Sequence, residues 1–274
     1  MNNSYQYLPE EYHLKHDYCE FVVSQIEDLI LNERFIELKS NSFEFPPDIM
    51  KEIEKEDIHI LDILEKHNYS DVTFHIVKKA LLNSLIMETC YFLQESLQCS
   101  LKMRMTVCFT LLRKPFLEIL IIFMRILNED DFITNFNEKD GFDPIRTSPE
   151  KKKELIEKTN NQLFDKYPTD DIFDYIFAKD FGDSLFNVTN NSIHLFTNRN
   201  PVSATEKQNL NFIFSQQEEI NYQWEYIYDV LPMLLTFIAD LTDLLVLKST
   251  SLKEDIFLDR IKERDKLKEK NNVC

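Results

Sequence analysis

Only two glycines, Gly141 and Gly182, occur among the 274 residues of this chain, and their scarcity restricts both its fold and its chemistry. A phosphate-binding P-loop, a dinucleotide-binding fingerprint and the nucleophile elbow of hydrolases each require two or more glycines at fixed spacing. The sequence therefore excludes all three motifs. A turn-rich β fold also uses many glycines, so two glycines beside nine prolines favour long helices.

The chain is strongly acidic, with a formal net charge of −17. General DNA binding requires clustered lysines and arginines that neutralise phosphates, and docking on an anionic membrane has the same requirement. We therefore expect neither. No stretch reaches about 18 uncharged apolar residues, and the N-terminus lacks the pattern of a signal peptide. These features predict a cytoplasmic protein without a membrane span.

The five cysteines include no pair at CxxC spacing. An odd number without that spacing suits neither a disulfide framework nor a zinc site, so the sequence predicts buried thiols in a reducing compartment. No glutamate–histidine pair at ExxH spacing accompanies the aspartates of residues 229–243, so a di-iron bundle is not supported. We therefore expect no metal and no cofactor.

Apolar residues recur at helical spacing along most of the chain. Residues 1–70 carry 16 acidic against 6 basic side chains and are predicted to form an acidic helical region that packs on the rest. Residues 71–250 are predicted to form the main helical bundle. Residues 251–274 are rich in charge and are predicted to form a C-terminal helix that frays.

The apolar stretch 72–127 is too long for one straight helix in a compact domain, because an α-helix rises about 1.5 Å per residue. We expect a break near Gln98–Ser100 and a kink at Pro115, which lacks a backbone N–H. The stretch 192–216 leaves two interpretations open. Its alternating segments SIHLFT and LNFIFS suit a short β-hairpin, or they lie as extended segments over helices. The predicted fold class is mainly all-α, a multi-helix bundle with long kinked central helices.

His194, in the segment NNSIHLFTNRN, is the first candidate for chemistry, because histidine acts as a general acid or base near neutral pH. Arg199 is near enough in sequence to hold a phosphate, and Arg113 and Glu118 are the best candidate partners from the long helices. A structural interpretation stays open for each. A lone histidine beside apolar residues is often hydrogen-bonded within the fold, and Arg113 suits a buried anchor for Glu118.

A stripe of polar residues runs along one side of the predicted helix 218–247. Its members are Asp229, Thr236, Asp240 and Asp243. One interpretation is a solvated face. The other is a polar network between helices, in which the stripe faces Arg104, Arg113 or Arg125.

The order of the apolar stretch 72–127, the polar segment around His194 and the later YQWEYIYDVLPMLLTFIADL resembles prokaryotic helical-bundle proteins of the HEPN and abortive-infection kind. The resemblance covers residues 70–247. It implies a toxin or defence protein, often dimeric, that cuts RNA without a metal through an arginine four to six residues before a histidine. Here no arginine occupies residues 188–190, and Arg199 follows the histidine instead.

Two hypotheses about function follow. The first is a cytosolic helical-bundle protein of prokaryotic stress or phage defence that binds a protein partner or a second copy of itself. Its acidity, its lack of catalytic motifs and its 22 phenylalanines and 11 tyrosines support this hypothesis. The second is a metal-independent ribonuclease that uses His194 with Arg113 or Arg199. RNA is an expected partner only under this second hypothesis. A pocket for a small ligand in the bundle core also stays open.

Overall fold

The computed structural model describes residues 5–41, 44–47, 49–50, 53, 59–213, 215–271 and 273. All regular structure in those residues is helical, which confirms the predicted all-α bundle. The α-helices are α1 (His13–Leu31), α2 (Ile36–Lys39), α3 (Ile60–Lys66), α4 (Ser70–Leu101), α5 (Met105–Lys114), α6 (Leu120–Asn128), α7 (Phe132–Glu138), α8 (Pro149–Gln162), α9 (Thr169–Phe177), α10 (Leu185–Ile193), α11 (Gln217–Ser249) and α12 (Glu254–Lys270). Part of the helix expected between residues 47 and 67 lies outside the described residues.

The long apolar stretch breaks close to the expected positions. Helix α4 ends at Leu101 and α5 begins at Met105, and Met103 between them has a left-handed φ of 56° that turns the chain. Pro115 then opens a π-helical segment, Pro115–Ile119, that leads into α6. Proline has no N–H for the α-helical hydrogen bond, so the wider turn appears where the kink was predicted.

Helix α11 lies at the centre of the bundle and packs against α1, α4, α6 and α12. Nearly all of its side chains between Ile227 and Val246 are buried. It is the one helix in the described part of the chain that is long and apolar enough to cross a membrane. Most of that apolar window, 83%, is buried inside the protein, as in the core helix of a globular bundle.

A chain of buried hydrogen bonds joins α1, α4 and α11. The Tyr228 hydroxyl bonds His16 Nδ1 and Ser100 Oγ, at 2.9 Å each. The indole N–H of Trp224 donates to the carbonyl of Ser100 at 3.1 Å. Because these polar groups satisfy one another, three apolar helices meet in one fixed arrangement.

The C-terminal helix, predicted to fray, is helical from Glu254 to Lys270 and packs on the bundle. Helix α12 packs against α1 and α11, and Phe257 and Arg264 are buried. Beyond the helix end, the side chain of Asn271 donates to the carbonyl of Leu14 at 3.0 Å. The charged sequence of α12 resembles a solvated helix, but two of its arginines neutralise buried carboxylates.

The hairpin interpretation of residues 192–216 is also wrong, because their described part contains no strand. Helix α10 continues to Ile193, and a compact loop with a short 3₁₀ turn follows. Isolated backbone bonds close this loop, from Thr205 N to the Thr197 carbonyl (2.8 Å) and from Asn211 N to the Leu195 carbonyl (2.9 Å). Side chains satisfy other backbone groups of the loop, so no ladder of strand hydrogen bonds forms.

Candidate functional site

Asn187, near the start of α10, holds two chain segments together. Its side-chain amide is buried and donates to the carbonyls of Lys179 (3.1 Å) and Phe181 (2.8 Å). Its oxygen accepts from Asn200 Nδ2 (2.9 Å) and Ser203 Oγ (3.2 Å). One buried side chain therefore joins the segment that precedes α10 to the loop that follows it.

Thr197 fixes the loop from within. Its hydroxyl donates to the carbonyl of Ser203 at 2.8 Å, and its backbone N–H donates to the Thr205 hydroxyl at 2.8 Å. Short side chains with oxygen acceptors and donors are well suited to such loop bonds. The asparagines and threonines of the segment 190–200 therefore build a fixed loop, in addition to any contact with a ligand.

The loop and α10 enclose a surface cleft of about 800 Å³. Its lining includes Lys179, Phe186, Asn190, His194, Phe196 and Arg199. Three of the described lining residues are basic (Lys179, His194 and Arg199) and none carries a carboxylate. On a chain with a net charge of −17, a patch of this sign attracts anions locally.

His194 lies at the edge of this cleft, just after the end of α10. Its backbone N–H donates to the carbonyl of Asn190 at 3.2 Å, and its own carbonyl accepts from Asn211 Nδ2 at 2.8 Å. The side chain is exposed, and no described residue hydrogen-bonds its imidazole. The interpretation of His194 as a residue satisfied within the fold is therefore wrong. The structure brings His194 and Arg199 into one cleft.

Arg113 and Glu118 lie elsewhere. Arg113, on α5, donates from Nη1 to the Thr189 hydroxyl at 3.1 Å, and Glu118 lies in the π-helical segment. Neither residue lines the cleft. The predicted pair between them is wrong, since neither forms an ion pair with any residue that the structure describes. Arg113 braces α5 against α10 and does not face His194's cleft.

The polar stripe on α11 contributes to a buried ionic cluster, which we call the α11–α12 cluster. Asp243 accepts from Arg260 Nε at 2.9 Å and from Arg264 Nη2 at 2.7 Å. Asp240 accepts from Arg264 Nη2 at 2.7 Å and from the Tyr167 hydroxyl at 2.6 Å. The network between helices therefore exists, but its arginines come from α12 and not from residues 104, 113 or 125.

The other two members of the stripe lie outside this cluster. Thr236 bonds the Tyr18 hydroxyl at 2.7 Å inside the bundle, and Asp229 pairs with Lys15 at the surface.

Burial raises the pKa of Asp243, and the guanidinium groups of Arg264 and Arg260 oppose that shift. No group of three or more His, Cys, Asp or Glu in the described chain is arranged to hold a metal ion.

The cysteines offer no nucleophile in the described part of the chain. Cys19, Cys90, Cys99 and Cys108 are free and buried, as predicted, while Cys274 lies outside the described residues. Burial raises the pKa of all four thiols, to about 12 for Cys90 and Cys108. Since the thiolate is the reactive form, these side chains stay inert near neutral pH.

Four important residues were not identified from the sequence: Lys179, Asn187, Arg260 and Arg264. The arginines are four residues apart on a helix, so they share one face, and that spacing was their only signal. Asn187 lies three residues after Ser184. The hydroxyl of Ser184 caps α10 by accepting a hydrogen bond from the backbone N–H of Asn187 at 3.3 Å. The cap was readable from the sequence, whereas the partners of the amide side chain were not.

Comparison with known proteins found no matching family model, no matching curated protein and no matching solved structure. The HEPN-like resemblance stays a prediction.

Proposed function

We propose that this protein is a binding module that recognises an acidic, partly apolar segment of a partner protein. The observation that carries the proposal is a set of exposed cations beside exposed apolar side chains on an otherwise acidic chain. Lys179 and Arg199 are exposed and form no ion pair with any described residue. The prokaryotic stress or phage-defence setting of the proposal comes from the resemblance of residues 70–247.

The apolar part of the surface lies on residues 193–213, which we call the docking loop. Its exposed apolar side chains include Ile193, Leu195, Phe196, Val202 and Ile213. Leu195 is 61% exposed and Phe196 is 55% exposed, which is unusual for neighbouring large side chains. Contiguous apolar residues bordered by charged ones are typical of protein interaction sites.

The composition of the docking loop favours a protein partner over RNA. Proteins bind single-stranded RNA by stacking bases on aromatic rings, and most of the large apolar side chains exposed here are aliphatic. A symmetric homodimer through the same surface would bring Lys179 and Arg199 of both copies together. Because like charges repel, an acidic partner of different sequence suits the surface better than a second copy.

The proposal can be tested by selecting displayed random peptides on the immobilised protein. We expect the selected peptides to combine Asp or Glu with aromatic or aliphatic residues. Binding of a selected peptide should weaken about tenfold in Arg199→Glu and in Leu195→Ser. Arg146→Glu is the matched control, since Arg146 is exposed and does not line the cleft. Selected peptides without acidic residues, or equal binding by all four proteins, would contradict the proposal.

A second candidate function is metal-independent RNA cleavage. One observation favours it: His194, able to act as acid or base, shares the cleft with Arg199, which is able to hold a phosphate. The test is incubation of the purified protein with single-stranded RNA in EDTA, with growth and RNA integrity also scored after bacterial expression. Cleavage that His194→Ala abolishes and Leu195→Ser preserves would support an enzyme. Intact RNA with every variant would exclude this activity.

A further inference from the structure

A second cavity, of about 520 Å³, lies between α10, the start of α11 and residues 204–212 of the docking loop. It shares no lining residue with the cleft. The aromatic residues in its lining include Phe109, Phe212 and Tyr226. The ring of Phe109 lies 5.7 Å from that of Phe212 and 5.8 Å from that of Tyr226, measured between centroids. A volume of this size suits a small organic molecule.

Two polar atoms of this wall lack partners. Gln223 Oε1 and the Tyr226 hydroxyl are buried, and neither hydrogen-bonds any described residue. The two residues are three positions apart on α11, so they share one face of the helix, and both line the cavity. Buried polar groups in folded proteins are nearly always satisfied, and an unsatisfied one calls for an explanation. Two such atoms beside one cavity point to a ligand that supplies the missing partners.

The loop segment that lines one side of the cavity contains backbone strain. Gln208 and Phe212 have φ values of 62° and 59°, in the left-handed region that residues with side chains seldom adopt. Strained residues of this kind concentrate in segments that close over ligands. Both unpartnered oxygens are closed off from solvent, so a ligand reaches them only when neighbouring side chains of the wall move.

The charge around the cavity selects the sign of the ligand. Glu206 and Glu218 are exposed lining residues, and no lysine, arginine or histidine is among the described ones. Glu219 also lines the cavity, although its carboxylate accepts from the backbone N–H of Gln216 at 2.7 Å. Carboxylates and the faces of aromatic rings both attract cations and disfavour anions.

We propose that this cavity binds a small organic ammonium ion with an apolar body. The ammonium N–H groups donate to Gln223 Oε1 and to the Tyr226 oxygen, both of which accept hydrogen bonds. The apolar body packs on the rings of Phe109 and Phe212. The carboxylates of Glu206 and Glu218 balance the positive charge.

The first test is a calorimetric titration with three ligands that share an indole body. Tryptamine is the cationic probe, indole-3-ethanol its neutral analogue and indole-3-propionate its anionic analogue. We expect tryptamine to bind about tenfold more tightly than the alcohol, and the propionate to bind more weakly still. Equal or tighter binding of the propionate would overturn the proposal, and so would the absence of tryptamine binding at millimolar concentrations.

The second test separates binding from folding. Tyr226→Phe and Gln223→Leu remove the unpartnered atoms, so the melting temperature without ligand should stay equal or rise while tryptamine affinity falls about tenfold. Tyr222→Phe is the control, because Tyr222 lines the cavity but its hydroxyl donates to Asp183 at 3.2 Å. Unchanged affinity in both variants would overturn the proposal. A lowered melting temperature in Tyr226→Phe would also do so, since it would reveal a structural partner for the hydroxyl.

Discussion

Arg260 and Arg264 of the α11–α12 cluster are buried and bound by carboxylates, whereas Lys179 and Arg199 at the cleft are exposed and meet none in its lining. The two regions belong to one acidic chain and use the same kinds of charged side chain. A buried charge that lost its partner would destabilise the fold, so the charged residues of the cluster have a structural role. Lys179 and Arg199 at the cleft have no carboxylate partner among the described residues, and the Nζ of Lys179 lies 5.3 Å from the centroid of the Phe186 ring.

The largest effect on stability is expected at the centre of the α11–α12 cluster. Replacing Arg264 by Ala leaves Asp240 and Asp243 buried with fewer partners, and should cost about 3–5 kcal/mol of unfolding free energy in urea denaturation. Lys262→Ala on the same helix is the control. Lys262 is 74% exposed and pairs with an exposed Asp259, so its loss should cost less than about 0.5 kcal/mol. Similar values for the two variants would remove the distinction between the regions.

A smaller effect is expected at Asn187, which supports the cleft and carries no charge. Asn187→Ala leaves the carbonyls of Lys179 and Phe181 without this donor, at a cost of about 2 kcal/mol. Hydrogen exchange of the Thr205 amide should also accelerate, because that amide closes the loop that Asn187 holds. Asn198→Ala, at an exposed position of the same loop, should change neither quantity. Unchanged exchange in Asn187→Ala would show that the loop is held by other contacts.

A still smaller effect on stability is expected at Arg113, which is half-buried and forms a hydrogen bond only with a hydroxyl group. Arg113→Ala should cost about 1 kcal/mol, and Thr189→Val a similar amount, because both remove the same hydrogen bond. The double variant should then cost less than the sum of the two single variants. A loss in Arg113→Ala as large as that of Arg264→Ala would mean that Arg113 anchors a buried charge after all.

The fold was predictable because its signals are local. Apolar spacing and the kink at Pro115 each depend on residues within a few positions. The burial of α12 was not predictable in this way. Asp240 and Arg264 are 24 positions apart, and a charged helix has the same sequence pattern whether its arginines meet water or buried carboxylates.

The candidate site was also predictable only where its residues are close together in the sequence. His194 and Arg199 share a cleft because they are close in the chain. Lys179 was missed because a hydrogen bond through Asn187 brings its segment to the loop. Arg113 and Glu118 did not pair with each other because they lie five positions apart, and side chains on a helix meet at spacings of three or four.

The cleft should show the smallest effect on stability and a clear effect on binding. The most direct test is the affinity of Arg199→Ala for a peptide selected on the wild-type protein, with urea denaturation of the same preparation. We predict an affinity loss of about tenfold and a stability change within about 0.5 kcal/mol. Unchanged affinity with a stability loss of about 2 kcal/mol would contradict the account, because Arg199 would then belong to the structure, as Arg264 does.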